Sequence, residues 1–106
     1  MVGRAPGEPR RMKVYVLARR RGEAFTDQQF APLMEPEAEE ARRLYGEGHL
    51  RSIHGRQDVP GAVLELECAS LDDAHKLTQR LPLVKAGMLE LTFIPVGPYR
   101  GFLPRG

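Results

Sequence analysis

Tyr15, His49, His54, Glu65, Glu67 and Glu90 are the side chains of this 106-residue chain best suited to moving a proton. General acid–base chemistry needs a titratable group held in a partly dry enclosure. Glu65 and Glu67 lie in "AVLELEC" and Glu90 in "GMLELTFIPV", so each carboxylate alternates with apolar neighbours. A carboxylate lodged among Val63, Met88 and Ile94 has its charged form disfavoured by desolvation, which makes a useful base near neutral pH. Glu90 is the leading catalytic candidate on that argument, and His54, Tyr15, Glu65 and His49 complete the expected set. The structural alternative is that Glu65, Glu67 and Glu90 meet Lys13 or arginines across strands as ion pairs. His49 falls at a helix-to-strand junction, either as a residue of the pocket mouth or as a helix cap. His54 is left open to either face of its strand, and His75 is placed on the outer side of a helix.

Other chemistries find less to work with. Three histidines so far apart lack the spacing of a metal triad, and the single cysteine rules out a Cys-x-x-Cys pair, so no metal is expected. Cys68 shares a face with Leu64 and Leu66, as a buried small hydrophobe does. Ser52 and Ser70 have no Gly-x-Ser-x-Gly setting, and Ser70 reads as a helix cap. Neither a Walker loop nor a dinucleotide fingerprint is present, so no nucleotide cofactor is expected.

The elements that must position these groups follow from periodicity. "MKVYVLA", Met12 to Ala18, alternates as a first strand, with Val14 and Val16 on one side and Tyr15 and Leu17 on the other. Thr26 with Gln29 forms a capping-box signature, and Pro32 or Pro36 suits a first helical turn. Met34, Ala38, Ala41 and Tyr45 then form a stripe toward a sheet, while Glu37, Glu39, Glu40, Arg42 and Arg43 face water. "HLRSIHGR", His49 to Arg56, is a strand in which Leu50 and Ile53 share a face only if a bulge or twist intervenes near Ser52. "AVLELEC" is a third strand. Ser70 with Asp73 opens a second helix whose stripe Leu71, Ala74, Leu77, Thr78 and Leu81 ends at Pro82. "GMLELTFIPV" is the fourth strand, with Leu89, Leu91 and Phe93 opposed by Met88, Glu90, Thr92 and Ile94.

The order β-α-β-β-α-β predicts a ferredoxin-like α+β fold, a four-stranded antiparallel sheet with two helices on one face. Residues 1 to 11 are expected as a flexible tail, 12 to 97 as the domain and 98 to 106 as a C-terminal arm. The bare face, carrying Tyr15, Leu17, Val63, Met88 and Ile94 among glutamates, is apolar enough to require a cover, and a second copy of the sheet is the simplest one. Pro95, Pro98, Tyr99 and Phe102 then form an arm that packs on the partner or closes a pocket.

"LPLVKAGMLELTFIPVGPYRGF", with this element order, resembles the muconolactone isomerase-like and YciI-like branch of the dimeric α+β barrel superfamily, over about Lys13 to Phe102. The resemblance implies a homodimer or higher oligomer and a cofactor-independent isomerase moving a proton on an unsaturated lactone, aromatic or polyketide-like metabolite. It carries no catalytic signature that transfers residue by residue. A cofactor-free monooxygenase of the antibiotic-biosynthesis type and a non-catalytic ligand-binding or assembly protein are the alternatives.

RNA-recognition modules share the topology, but "AVLELEC" has no aromatic for base stacking and two glutamates that repel phosphate, so no nucleic-acid partner is expected. The net charge of +2 is attributed to solvated arginines. The chain lacks an 18-residue apolar run and a secretory signal, and with one cysteine a cytoplasmic location without a membrane partner fits best.

Overall fold

The computed structural model describes residues 11 to 102 and Pro104. All of the expected N-terminal tail except Arg11 lies outside the described residues. The elements run β1 (Met12–Arg20), α1 (Asp27–Gly46), β2 (Leu50–Gly55), β3 (Gly61–Cys68), α2 (Leu71–Thr78), α3 (Pro82–Lys85) and β4 (Leu89–Val96), followed by a 3-10 turn at Arg100–Phe102. The strands form one antiparallel sheet in the order β2-β3-β1-β4. This is the ferredoxin-like α+β architecture.

Strict alternation in the central strands decides which face is buried. Val14, Val16 and Ala18 of β1 and Leu64, Leu66 and Cys68 of β3 point to the helices and are almost fully excluded from water. They pack with Leu44, Leu50, Ala74, Leu77 and Leu81 in one cluster. Each buried valine or leucine of this cluster contributes about 1.5–3 kcal/mol. Pro95 sits within β4, where the missing N–H is tolerated because β4 is an edge strand.

The irregularity expected near Ser52 is present: the β2–β3 register shifts between Leu50 and Ser52. Leu50 pairs with Leu66 and Ile53 with Leu64, on the helix side, whereas Ser52 pairs with Glu65 and His54 with Val63, on the open side. The bulge therefore brings both apolar residues of β2 to the same face. Gly61 opens β3 at φ +155°, and a Cβ there would run into the Ala18 carbonyl, so only glycine permits this approach of β3 to β1.

The Thr26 capping box forms: Thr26 Oγ1 accepts from the Gln29 N–H at 3.3 Å, and Gln29 Oε1 accepts from the Thr26 N–H at 2.8 Å. This cap starts α1 at Asp27, so Pro32 and Pro36 lie inside the helix and not in its first turn. Both are exposed, and neither can donate to the carbonyl four residues back. The buried stripe also differs from expectation. Phe30 and Leu44 are the buried residues of α1, whereas Tyr45 is 65% exposed. Glu37 and Glu40, expected in water, are partly buried.

The second helical region divides in two. Ser70 caps α2 by accepting from the Asp73 N–H at 3.0 Å, but α2 ends at Thr78, and Pro82 opens α3 where it was expected to terminate a longer helix. Met88 is a further correction. Gly87 takes φ +71° and β4 starts only at Leu89, so Met88 lies outside the strand's alternation. It is buried with Phe30 and Leu83 in a second apolar cluster within the chain's own core.

Candidate active site

The sheet face without helices carries two cross-strand rows. Ser52, Glu65, Tyr15 and Ile94 form one, and His54, Val63, Leu17 and Thr92 form the next. Five of the six expected proton-transfer residues, Tyr15, His54, Glu65, Glu67 and Glu90, share this face by strand parity, and only His49 does not. Two of its carboxylates, Glu65 and Glu90, are ion-paired. Glu65 meets Lys13 at 3.0 Å and accepts from Ser52 Oγ at 3.0 Å, and these partners, Lys13 first, hold its pKa below the usual carboxylate range. Glu90 accepts from Arg19 Nε at 3.1 Å, and that arginine likewise lowers its pKa. The Glu90 side chain is 63% exposed. The desolvated base expected at Glu90 is thus absent from this residue: Met88 has withdrawn into the core, and the neighbour across the ladder is a guanidinium.

The histidines are dispersed. His54 is exposed on edge strand β2. His49 precedes β2, with Nε2 3.7 Å from Glu47 Oε1 and a buried Nδ1 that has no hydrogen-bond partner. His75, although exposed, stacks on Phe93 with ring centroids 3.8 Å apart. Among the described residues, no group of three or more His, Cys, Asp or Glu is placed to hold a metal ion. Burial pushes the Cys68 thiol pKa up, which keeps it protonated and unreactive.

The desolvated carboxyl lies on the other side of the sheet. A cavity of about 220 Å³ separates α1 from β1, β3 and β4, and its walls are almost entirely apolar, with Val16, Leu64, Leu81 and Leu91 among them. Glu37 of α1 lines this cavity. Its Oε1 accepts from the Leu83 backbone N–H at 2.9 Å. Burial raises the Glu37 pKa, and the Leu83 hydrogen bond opposes the rise without cancelling it.

The rim is formed by Arg20, Met34 and Ile53, which also line the cavity. Met34 and Ile53 are partly open to solvent, although α1 packs on β2 through Leu44 and Leu50. Arg20 Nη2 lies 3.4 Å from Met34 Sδ, and its guanidinium sits 5.3 Å from the centre of the Phe30 ring. Among the described residues Arg20 makes no ion pair, in contrast to Arg19, which binds Glu23 and Glu90.

Glu37 escaped the sequence reading because a glutamate in a helix is assigned to solvent by its charge. The spacing Phe30, Met34, Glu37, Ala41, Leu44 was the available signal, since the buried stripe runs through position 37 at helical intervals. No family model matches this chain, and no curated protein matches it either.

Proposed function

We propose that the chain is a small cofactor-independent enzyme of the isomerase type, in which Glu37 carries a proton between two carbons of an unsaturated lactone, aromatic or polyketide-like metabolite bound in the α1–sheet cavity. The observation that supports this reading is the placement of one carboxyl in an otherwise apolar, preformed cavity with a guanidinium at its rim. In the proposed reaction a C–H bond adjacent to a carbonyl breaks, its proton bonds to Glu37, and the electron pair moves onto the carbonyl oxygen as an enolate. Arg20 stabilises the developing negative charge. The Glu37 O–H then returns its proton to a different carbon, the carbonyl re-forms, and the substrate leaves with its double bond moved.

A homodimer belongs to this proposal. Ile94 and Val96 are 40% and 37% exposed on the open face, and Tyr99 and Phe102, stacked edge to face at 5.2 Å, are exposed beyond it. A second copy covering this surface removes the apolar patch from water.

One observation favours a second reading, that of a non-catalytic ligand-binding protein. The four-residue α3 has no side-chain cap of its own, and Glu37 supplies one from another helix. The experiment is deuterium incorporation from D2O into a panel of small unsaturated lactones and cyclic enones, followed by proton NMR. Wild-type protein is expected to incorporate deuterium, and E37Q to do so about 100-fold more slowly or worse. Wild-type rates in folded E37Q would reject the enzymatic role of Glu37, and binding without exchange would favour the second reading.

A further inference from the structure

Resting on the proton-transfer reading of this cavity, we infer that its substrate is an uncharged single-ring compound bearing one hydroxyl or enolisable carbonyl oxygen, with the ring buried and the oxygen directed at Arg20. Size sets the first limit. The cavity holds about 220 Å³. An apolar protein cavity of about 150 Å³ admits benzene, so the space buries one ring with a short substituent, and a fused polycyclic ligand would extend past Arg20 and Met34 at the open rim.

Charge sets the second limit. The walls include Val16, Leu64 and Leu91, and an ionised group placed among them loses its hydration without a partner. An anion in the interior also faces Glu37, and a cation entering past the rim meets Arg20. A neutral ligand meets neither penalty.

Hydrogen bonding sets the third. Glu37 Oε1 is engaged by the Leu83 N–H, which leaves Oε2 for the ligand. Arg20 spends its guanidinium on Met34 Sδ and the Phe30 ring, so N–H donors remain for an incoming oxygen. A phenolic or enolic oxygen answers both groups, donating its proton to Glu37 Oε2 and accepting from Arg20. An enolisable carbonyl oxygen accepts from Arg20 and leaves its acidic C–H to face Oε2.

The test titrates the full-length protein with 4-methylphenol, toluene and 2-naphthol, read by amide chemical shifts in nitrogen-15 NMR. 4-Methylphenol is expected to shift the amides of Ala38, Ala41, Leu64 and Leu91 and to bind roughly tenfold more tightly than toluene, the worth of one hydrogen bond. 2-Naphthol is expected to bind roughly tenfold more weakly than 4-methylphenol because its second ring overfills the space. R20Q should weaken 4-methylphenol about threefold or more, and A41L, which fills the cavity, should abolish the shifts while the spectrum stays dispersed.

Equal affinity for toluene and 4-methylphenol, or shifts confined to Tyr15, Val63 and Ile94 on the open face, would overturn the inference. The two levels separate cleanly. Binding of 4-methylphenol here without deuterium exchange on any lactone or enone keeps the ligand class and removes the enzyme. Glu37-dependent exchange that only two-ring compounds support keeps the enzyme and removes the ligand class.

Discussion

The Leu83 N–H of α3 donates to Glu37 Oε1 of α1 at 2.9 Å, so the one carboxyl that lines the apolar cavity among the described residues is tethered to the short helix that follows α2. The contact fixes the carboxyl's position and joins α3 to the rest of the core. It also separates two roles of Glu37, because an amide side chain preserves the acceptor while removing the acid. E37A, which leaves the Leu83 N–H without a partner, is expected to cost about 1–3 kcal/mol in urea unfolding. E37Q should cost less, and a larger loss in E37Q than in E37A would contradict the cap.

The sign of the pH dependence distinguishes Glu37 from the other glutamates. Its folded pKa is raised, so the folded state binds more protons than the unfolded chain between the ordinary glutamate pKa and the raised one. Its contribution is fully present below the ordinary value and declines as pH rises through the raised one. For Glu65 and Glu90 the folded pKa is lowered, and their contribution is present above the ordinary value and lost as pH falls through the lowered one. The stability of E37Q relative to wild type should therefore improve from pH 4 to pH 7, while that of E65Q should worsen. Urea titrations at both pH values measure this, and parallel trends for the two variants would be inconsistent with these environments.

E90Q offers a check on the open face. Glu90 is paired with Arg19 and mostly in water, so its loss should leave deuterium exchange within about threefold of wild type and the melting temperature nearly unchanged. A 100-fold loss of exchange in folded E90Q would move the chemistry back to that face.

Gly61 supports the cavity's edge by letting the start of β3 approach the Ala18 carbonyl. G61A is expected to destabilise by more than about 2 kcal/mol, because the added Cβ meets backbone and the φ is one that L residues avoid. G22A, with no atom within 4 Å of its added Cβ, is the control. Comparable melting temperatures for the two variants would refute the close approach.

The proposed dimer is checked by sedimentation equilibrium. The expected mass is twice the chain's 11.9 kDa, and V63D, placed at the centre of the open face beside Leu17, should shift the protein to monomer. A wild-type monomer at micromolar concentration would remove the second copy and leave the α1–sheet cavity, which one chain builds alone.

The strands were legible because alternation in β1 and β3 is unbroken and each has one apolar face. Even the β2 bulge was foreshadowed, since Leu50 and Ile53 cannot share a face without it. Alternation failed at Met88, where Gly87 at φ +71° interrupts the strand geometry that the parity count assumes. In α1 the prolines drew the expected start too far along, while the Thr26 box, an energetically specific cap, set it at Asp27. The site was half legible. The cross-strand ion-pair alternative for Glu65 and Glu90 was legible and is what the structure shows, with Lys13 and Arg19 as partners. Which arginine stands opposite Glu90 depends on the β1–β4 register, a tertiary pairing that no local pattern encodes. Glu37 faces a cavity walled by residues of all four strands and α3 as well as its own helix, and most of these are distant in sequence.

Carbon-13 NMR titration of the glutamate side-chain carboxyls tests most directly whether Glu37 is the acid–base group. Glu37 should titrate above the ordinary glutamate range and move on addition of 4-methylphenol, with Glu65 and Glu90 titrating below that range. A Glu37 midpoint at or below those of Glu65 and Glu90, unmoved by the phenol, would contradict the account.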